Sequence, residues 1–190
     1  GYVVVGETST VGVIDAFLLK TDPLGNVEWV RTYGGTTLHD VVWSVDLDGT
    51  GGYFLGGQQQ VSAGNYDQWV LHIDGMGSVI WQYNYGTPLN DSGNAHITTA
   101  ADGNILFATG LETSVAGQRQ IRLEKLDTEG SVLWMRPYGP ARNTMIYVVQ
   151  EIEPGGDLIT GGSAYNASNF LSGILLRTTS TGDSVWMRDY

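Results

Sequence analysis

Short apolar runs recur along this chain with a period of two, each broken after four to eight residues by Gly, Asp, Asn or Ser. Between Thr36 and Gly86 four such runs follow one another: DVVWSVDL at Asp40–Leu47, GYFLGG at Gly52–Gly57, DQWVLHI at Asp67–Ile73 and SVIWQYNY at Ser78–Tyr85. They are rich in β-branched and aromatic residues, so each predicts a strand. Nowhere does a helical apolar period persist, and essentially no helix is expected.

This four-run unit repeats. Trp29, Trp81, Trp134 and Trp186 stand 52, 53 and 52 residues apart, and each is followed four positions later by a Tyr: Tyr33, Tyr85, Tyr138 and Tyr190. A period near 50 residues marks an architecture in which neighbouring copies bury each other's apolar faces. The connection from third to fourth run reads DPLG (Asp22–Gly25), DGMG (Asp74–Gly77), DTEG (Asp127–Gly130) and TSTG (Thr179–Gly182). A Gly at a fixed place in a short loop supplies the positive φ of a tight hairpin. Connections from first to second run carry the same signal: DGTGG before Tyr53, ADG before Asn104 and EPGG before Asp157. The second run is expected to end at a recurring Gly: Gly6, Gly57, Gly110 and Gly162.

In the fourth run residues two apart share a face, so Val27, Trp29, Arg31 and Tyr33 point one way, as do their counterparts in the later copies. One indole per sheet at a constant position is what packing between sheets needs. Six of the nine basic residues also occupy repeat-equivalent sites (Lys20, Lys125 and Arg177; Arg31, Arg136 and Arg188), with His72 filling the third-run site in the second copy. Such regularity predicts a scaffold role, as snorkelling stems or ion pairs.

Tandem four-stranded antiparallel units predict the blades of a β-propeller. GYVVVGET followed by DAFLLKTDPLGNVEWVRTYGG, and GGYFLGG followed by DQWVLHIDGMGSVIWQYNYG, resemble the repeats of secreted bacterial and archaeal β-propellers. The third copy departs from that pattern at Arg122, where an aromatic is usual, and the fourth at Thr179, where the turn Asp is missing. The resemblance implies an extracellular or cell-surface location and a scaffold or binding role, and it carries no common catalytic residue. The expected fold is all-β, a single propeller or propeller segment of four blades of about 52 residues, at approximately 1–35, 36–87, 88–140 and 141–190. The first blade lacks its innermost strand. Ring closure is expected to need the remaining blades of a larger ring, missing here or supplied by another chain; a self-closed ring of four and a two-chain ring of eight are the alternatives.

Composition narrows the partners. Net charge is −11, from 20 acidic and 9 basic residues, which argues against nucleic acid. No apolar run approaches the ~20 residues of a membrane-spanning helix, so no membrane insertion is expected. Without cysteine, neither disulfides nor thiolate metal sites form. His39, His72 and His96 fall at three different repeat positions, a poor pattern for a metal site, and no metal or cofactor is expected. DLDGTGG (Asp46–Gly52) lacks the closing Glu of a calcium loop and reads as a turn.

Loops are where such a scaffold varies. Loops at one rim of the channel carry the candidate ligand-binding residues: His39, Asp40, Asn90, Asp91 and Arg142 in the connections between blades, and Tyr66 and Tyr165 in the second-to-third-run connections. No catalytic residue is assigned. The innermost strands offer Ser44, Asp46, Asn94, His96, Thr98, Tyr147 and Gln150 without a coherent acid–base pair. A non-enzymatic scaffold or a module for a protein or glycan ligand is therefore expected. Alternatives are a lectin with sugar sites at blade junctions, provided its tryptophans are exposed, and, last, an enzyme with its site at the channel mouth.

Overall fold

A computed structural model describes residues 1–190 except 11, 36, 92, 116, 153–155, 166, 167 and 169; the turn expected at Glu153–Gly156 falls largely outside the described residues. Fifteen strands make four antiparallel sheets, in strict chain order and without a helix among the described residues. Sheet one is β1 (Tyr2–Thr10), β2 (Val13–Thr21) and β3 (Val27–Tyr33). Sheet two is β4 (Asp40–Leu47), β5 (Tyr53–Ser62), β6 (Asn65–Ile73) and β7 (Val79–Tyr85). Sheet three is β8 (His96–Thr99), β9 (Ile105–Glu112), β10 (Arg119–Leu126) and β11 (Val132–Arg142). Sheet four is β12 (Thr144–Glu151), β13 (Leu158–Tyr165), β14 (Leu171–Thr178) and β15 (Ser184–Asp189). The arrangement is propeller-like.

The core is divided into three layers, one between each pair of consecutive sheets. Leu18, Trp29 and Tyr33 of sheet one meet Leu55, Trp69 and Leu71 of sheet two. Phe54, Val70, Trp81 and Tyr85 meet Ile97, Ile105, Phe107 and Leu126. Ile121, Leu123, Trp134 and Tyr138 meet Ile146, Leu158, Ile174 and Leu176. The two middle strands of an inner sheet are thus covered on both faces, which is why they read as nearly continuous apolar runs.

A repeated contact locks each layer. The Tyr33 hydroxyl donates to the Gly77 carbonyl at 3.0 Å, Tyr85 to Gly130 at 2.6 Å and Tyr138 to Gly182 at 2.5 Å. Each acceptor belongs to the hairpin turn of the next sheet. Burial pushes the Tyr33 and Tyr138 phenols up to about 12, so they remain protonated donors across the working range of pH. The three turn glycines have φ of 83, 85 and 82°. A Cβ on Gly77 would touch the Arg31 stem at 2.7 Å, and one on Gly130 would touch the Tyr83 ring at 2.6 Å. Glycine is required twice at these positions, once for the left-handed backbone and once because the preceding sheet's aromatic ladder presses against it. The turns themselves are held by Asp22, Asp74 and Asp127, whose Oδ1 atoms each accept two backbone N–H groups. Thr179 keeps one of these bonds through its hydroxyl, to Asp183 N–H at 3.0 Å, which accommodates the missing carboxylate.

The structure revises two expectations about the second strand of each sheet. First, that strand does not stop at its glycine: β5 continues to Ser62 and β13 to Tyr165. Second, the equivalent positions are Gly6, Gly57, Thr109 and Gly162, paired with Phe17, Trp69, Arg122 and Ile174, while Gly110 pairs one step on with Ile121. At Gly6 a Cβ would press on the Phe17 ring, while a bulge in the innermost strand explains Gly57, Gly162 and the exception. At Val42/Ser44 and Ile146/Val148 the extra residue drives the backbone onto Gly57 and Gly162, where a Cβ would collide with the Val41 and Met145 carbonyls. Strand β8 begins only at His96, opposite Ala108, and does not reach Thr109.

The third-strand residues at this position take acidic partners from the neighbouring turn: His72 with Asp48, Lys125 with Asp102 at 2.6 Å and Arg177 with Asp157 at 2.7 Å. In sheet one Lys20 pairs instead with Glu28 of β3 at 3.4 Å.

The junction geometry separates two glycines of near-identical φ, Gly130 (85°) and Gly103 (81°). Gly103 has open space around it, so Gly103→Ala carries only the backbone cost, about 1–2 kcal/mol. Gly130→Ala adds displacement of the Tyr83 ring and loses distinctly more in urea unfolding; equal losses would contradict this packing.

Candidate functional site

The expected rim residues lie at separate junctions, where each is tied by hydrogen bonds to the structure around it; of the seven, Tyr66 and Asn90 are bonded to one another. His39 Nδ1 accepts the Ile14 N–H at 3.0 Å, while His39 N–H donates to Gln60 Oε1 at 3.0 Å. At the next junction Asn90 Oδ1 accepts the Tyr66 N–H at 3.2 Å, the equivalent bond. Asp40 is buried and accepts the Gly35 N–H at 2.7 Å; burial raises its carboxyl against that bond. Asp91, fully buried, accepts N–H groups from Thr87 and Glu112. Arg142 makes a bidentate pair with Asp189, and Tyr165 N–H donates to the Asn143 carbonyl at 3.2 Å.

Four of these seven residues are not on loops. Asp40, Tyr66, Arg142 and Tyr165 lie in β4, β6, β11 and β13. The β5–β6 hairpin closes tightly at Ala63–Gly64, with φ of 74° at Gly64, so pairing runs out to Ser62 and Asn65. β11 runs past Gly139 to Arg142, leaving a single residue before β12.

Two cavities bear on chemistry. The first, about 270 Å³, lies on the innermost strands and is lined by Asp46, His96, Thr98 and Gln150 among apolar neighbours. Asp46 Oδ2 accepts the Thr98 hydroxyl at 2.9 Å and the Thr99 N–H at 2.7 Å. His96 Nδ1 accepts the Val149 N–H at 3.3 Å, and burial lowers its pKa, opposed by Asp46. Ser44 Oγ accepts the Ile97 N–H at 3.0 Å in the equivalent way one sheet earlier. These side chains tie inner strand to inner strand.

The second cavity, about 350 Å³, opens at the junction of sheets two and three. Asp48, Thr50, Phe54, His72, Ile80, Trp81, Thr128 and Glu129 line it. Trp81 is half-buried, with Nε1–H donating to the Thr128 carbonyl at 3.0 Å. Its neighbours on the ladder are Tyr83, stacked at 5.4 Å, and His72, edge-on at 5.6 Å; Phe54 lies 4.5 Å from His72. His72 Nε2 donates to Asp48 Oδ2 at 2.9 Å. Asp48 also accepts N–H groups from Thr50 and Gly52 and the Thr50 hydroxyl. These bonds outweigh burial and hold its carboxyl down to about 2. The cavity therefore combines an aromatic wall, an imidazole fixed by an ionised carboxylate, and the Glu129 carboxylate.

The sequence pointed elsewhere for this site. His72 reads there as a histidine in a cation position, Asp48 as a turn residue and Trp81 as core packing. The available signal was departure from the repeat: His72 stands where Lys20, Lys125 and Arg177 stand, and Tyr83 where Arg31, Arg136 and Arg188 stand. At the first junction, with Lys20 and Arg31 in those places, Trp29 is buried, and the Arg31 guanidinium lies 5.6 Å from its ring centre. Among the described residues no group of three side chains suits a metal ion.

The same junction buries charge. Arg122 and Glu124, equivalent to Trp69 and Leu71 of sheet two, form an ion pair inside the layer. Burial raises the Glu124 carboxyl, opposed by Arg122, and burial together with Asp91 raises Asp67.

No family model and no curated protein matches the chain. Solved structures similar to it include a protein of unknown function from Bacteroides caccae, at 10% identity and TM-score 0.47, covering 97% of this chain and 78% of that one. A eukaryotic initiation factor aligns at 7% identity and TM-score 0.47 over 99% of this chain and 52% of its own. A glycoside hydrolase aligns at 8% identity and TM-score 0.47 over 94% and 64%.

Removing Arg122 alone leaves Glu124 buried without its cation, so Arg122→Ala loses about 3–5 kcal/mol. Replacing the pair, as Arg122→Met with Glu124→Leu, restores the apolar pattern of sheets two and four and is neutral or stabilising by about 1–4 kcal/mol in thermal or denaturant unfolding.

Proposed function

We propose that this chain is a segment of a β-propeller, four blades about a common axis in a ring that takes further blades, and that it works as a non-catalytic binding scaffold at the cell surface or outside the cell. The location follows from the resemblance to secreted propeller repeats. Its ligand site is the cavity between blades two and three, and its ligand is a saccharide. The observation that carries this is the Trp81 wall beside a carboxylate: an aromatic plane suits the apolar face of a sugar ring, and the Glu129 carboxylate suits its hydroxyls, while Asp48 holds His72 in the wall. Trp29 is buried and offers no such surface, so one site per junction is not part of the proposal.

A protein ligand at the rim is the second reading. It has less support, because His39, Asp40, Asn90, Asp91 and Arg142 already hydrogen-bond to Ile14, Gly35, Tyr66, Glu112 and Asp189 of the protein itself. An enzyme at the channel mouth has least, because Asp46 and His96 spend acceptors on backbone amides.

Oligosaccharide-array screening followed by calorimetry tests the proposal. The parent protein binds a saccharide, and Trp81→Ala weakens that binding tenfold or more, about 1.4 kcal/mol, with the fold retained by circular dichroism. A folded protein that binds no saccharide, or binding indifferent to Trp81→Ala, overturns it. Below the usual carboxylate range Asp48 takes up a proton and releases His72. The contribution of this bond to stability is present above pH 3.8 and is lost as pH falls through about 2. Asp48→Ala removes that acid-dependent component, which pH-resolved denaturation reads directly.

A further inference from the structure

The junction between sheets two and three holds one half of a pairing that the other sheets complete from their own chain. In the ladder strands β3, β11 and β15 the residue two places after the Trp is Arg31, Arg136 or Arg188; in β7 it is Tyr83. The Arg31 guanidinium lies 5.6 Å from the Trp29 ring centre, and that of Arg188 lies 5.3 Å from the Trp186 ring centre. Each of these indoles takes a cation on its negative face. Arg136 reaches across its junction instead and pairs with Asp183 in the next sheet's turn at 3.4 Å. A ladder guanidinium thus serves an aromatic plane or a turn carboxylate.

At the second junction both recipients are present and the guanidinium is not. Trp81 lines the cavity, and the neutral Tyr83 ring stacks on it at 5.4 Å. Glu129 stands in the turn of sheet three where Leu24, Met76 and Thr181 stand in the other turns. It follows Thr128, whose carbonyl accepts the indole N–H at 3.0 Å, so the chain carries this carboxylate beside the ring. Among the described residues no side chain donates to or pairs with the Glu129 carboxylate, and no lysine or arginine lines the cavity. Whatever charge His72 carries is met by Asp48, 2.9 Å away. Glu129 is the charge in the lining that the protein leaves unbalanced.

We propose that the saccharide bound here carries a free amino group: a hexosamine whose ring lies on Trp81 and whose ammonium meets the Glu129 carboxylate. The ligand then supplies the cation that the ladder of every other sheet supplies for itself. A chain of net charge −11 also favours the approach of a cationic glycan over an acidic one. At about 350 Å³ the cavity is at the small end for ligand sites, so the substituents of one seated ring decide recognition. This inference rests on the saccharide reading of the same cavity and adds the charge of the ligand to it.

Calorimetry on the full chain tests it, with a linear tetramer of glucosamine and the fully N-acetylated tetramer as probes. The glucosamine tetramer binds tenfold or more tighter, and raising salt from about 50 to about 500 mM narrows the difference. Glu129→Gln, at an exposed turn position, removes the difference. Tyr83→Arg removes it too, by installing the cation that the other three sheets carry at this place; circular dichroism checks the fold of both variants. Equal or tighter binding of the acetylated tetramer overturns the inference and leaves the saccharide reading standing. So does a preference for the amine that survives either substitution. Binding of neither tetramer overturns it as well, and the saccharide array then decides whether the wider reading falls with it. A lysine-rich peptide that binds at Trp81 where the glucosamine tetramer does not overturns it in favour of a protein ligand.

Discussion

A tyrosine hydroxyl resting on a glycine carbonyl in the next sheet's hairpin turn, with an indole packed beside it, is the contact on which the rest of this structure depends. A lone two-stranded hairpin is marginally stable in water, and a small antiparallel sheet depends on its apolar face. Here each sheet shares its apolar faces with its neighbours, and the ladder seats the next sheet's turn through the tyrosine hydroxyl. The turn must therefore satisfy two demands at one residue. It needs a left-handed backbone to reverse the chain, and it must leave no side chain where the preceding ladder lies. Glycine meets both, and the 52-residue spacing keeps turn and ladder in register from copy to copy.

Against that regular frame the departures carry the information. Where Arg31 lies over Trp29 and Lys20 pairs with Glu28 at the first junction, Tyr83 and His72 stand at the second, which has a cavity along Trp81. The same junction exchanges an apolar pair for Arg122 and Glu124, a substitution that burial makes costly unless both partners are present. A junction that is both hollowed and charged differs from its neighbours in the way expected of a place with a task beyond holding sheets together. The inner strands lack this quality. Ser44 and His96 do the same job at equivalent positions, accepting the amide of the next inner strand.

Most of the architecture was legible in the residues. Alternation set the strands, β4 at Asp40–Leu47 among them, and the Asp-x-x-Gly turns and the Trp period set the repeat. What escaped was decided by contacts between strands far apart in sequence. The glycine of the second strand is fixed by a bulge in the first, so Thr109 takes its place where β8 is short, and reading Gly110 as the equivalent is off by one. Rim residues such as Asp91 look free in a list of loop residues, yet Asp91 is fully buried because two amides need its carboxylate. The Trp81 cavity was hidden for the opposite reason. Conserving the ladder residue within the repeat masks the change in what stands beside it.

The most direct test of the ladder-on-turn contact is the unfolding free energy of a chain carrying Tyr33→Phe, Tyr85→Phe and Tyr138→Phe together. These changes keep the rings and remove only the three hydroxyls. Loss of about 3 kcal/mol, about 1 per hydrogen bond and additive across the separate junctions, is the result this account predicts. A triple variant as stable as the parent would contradict it.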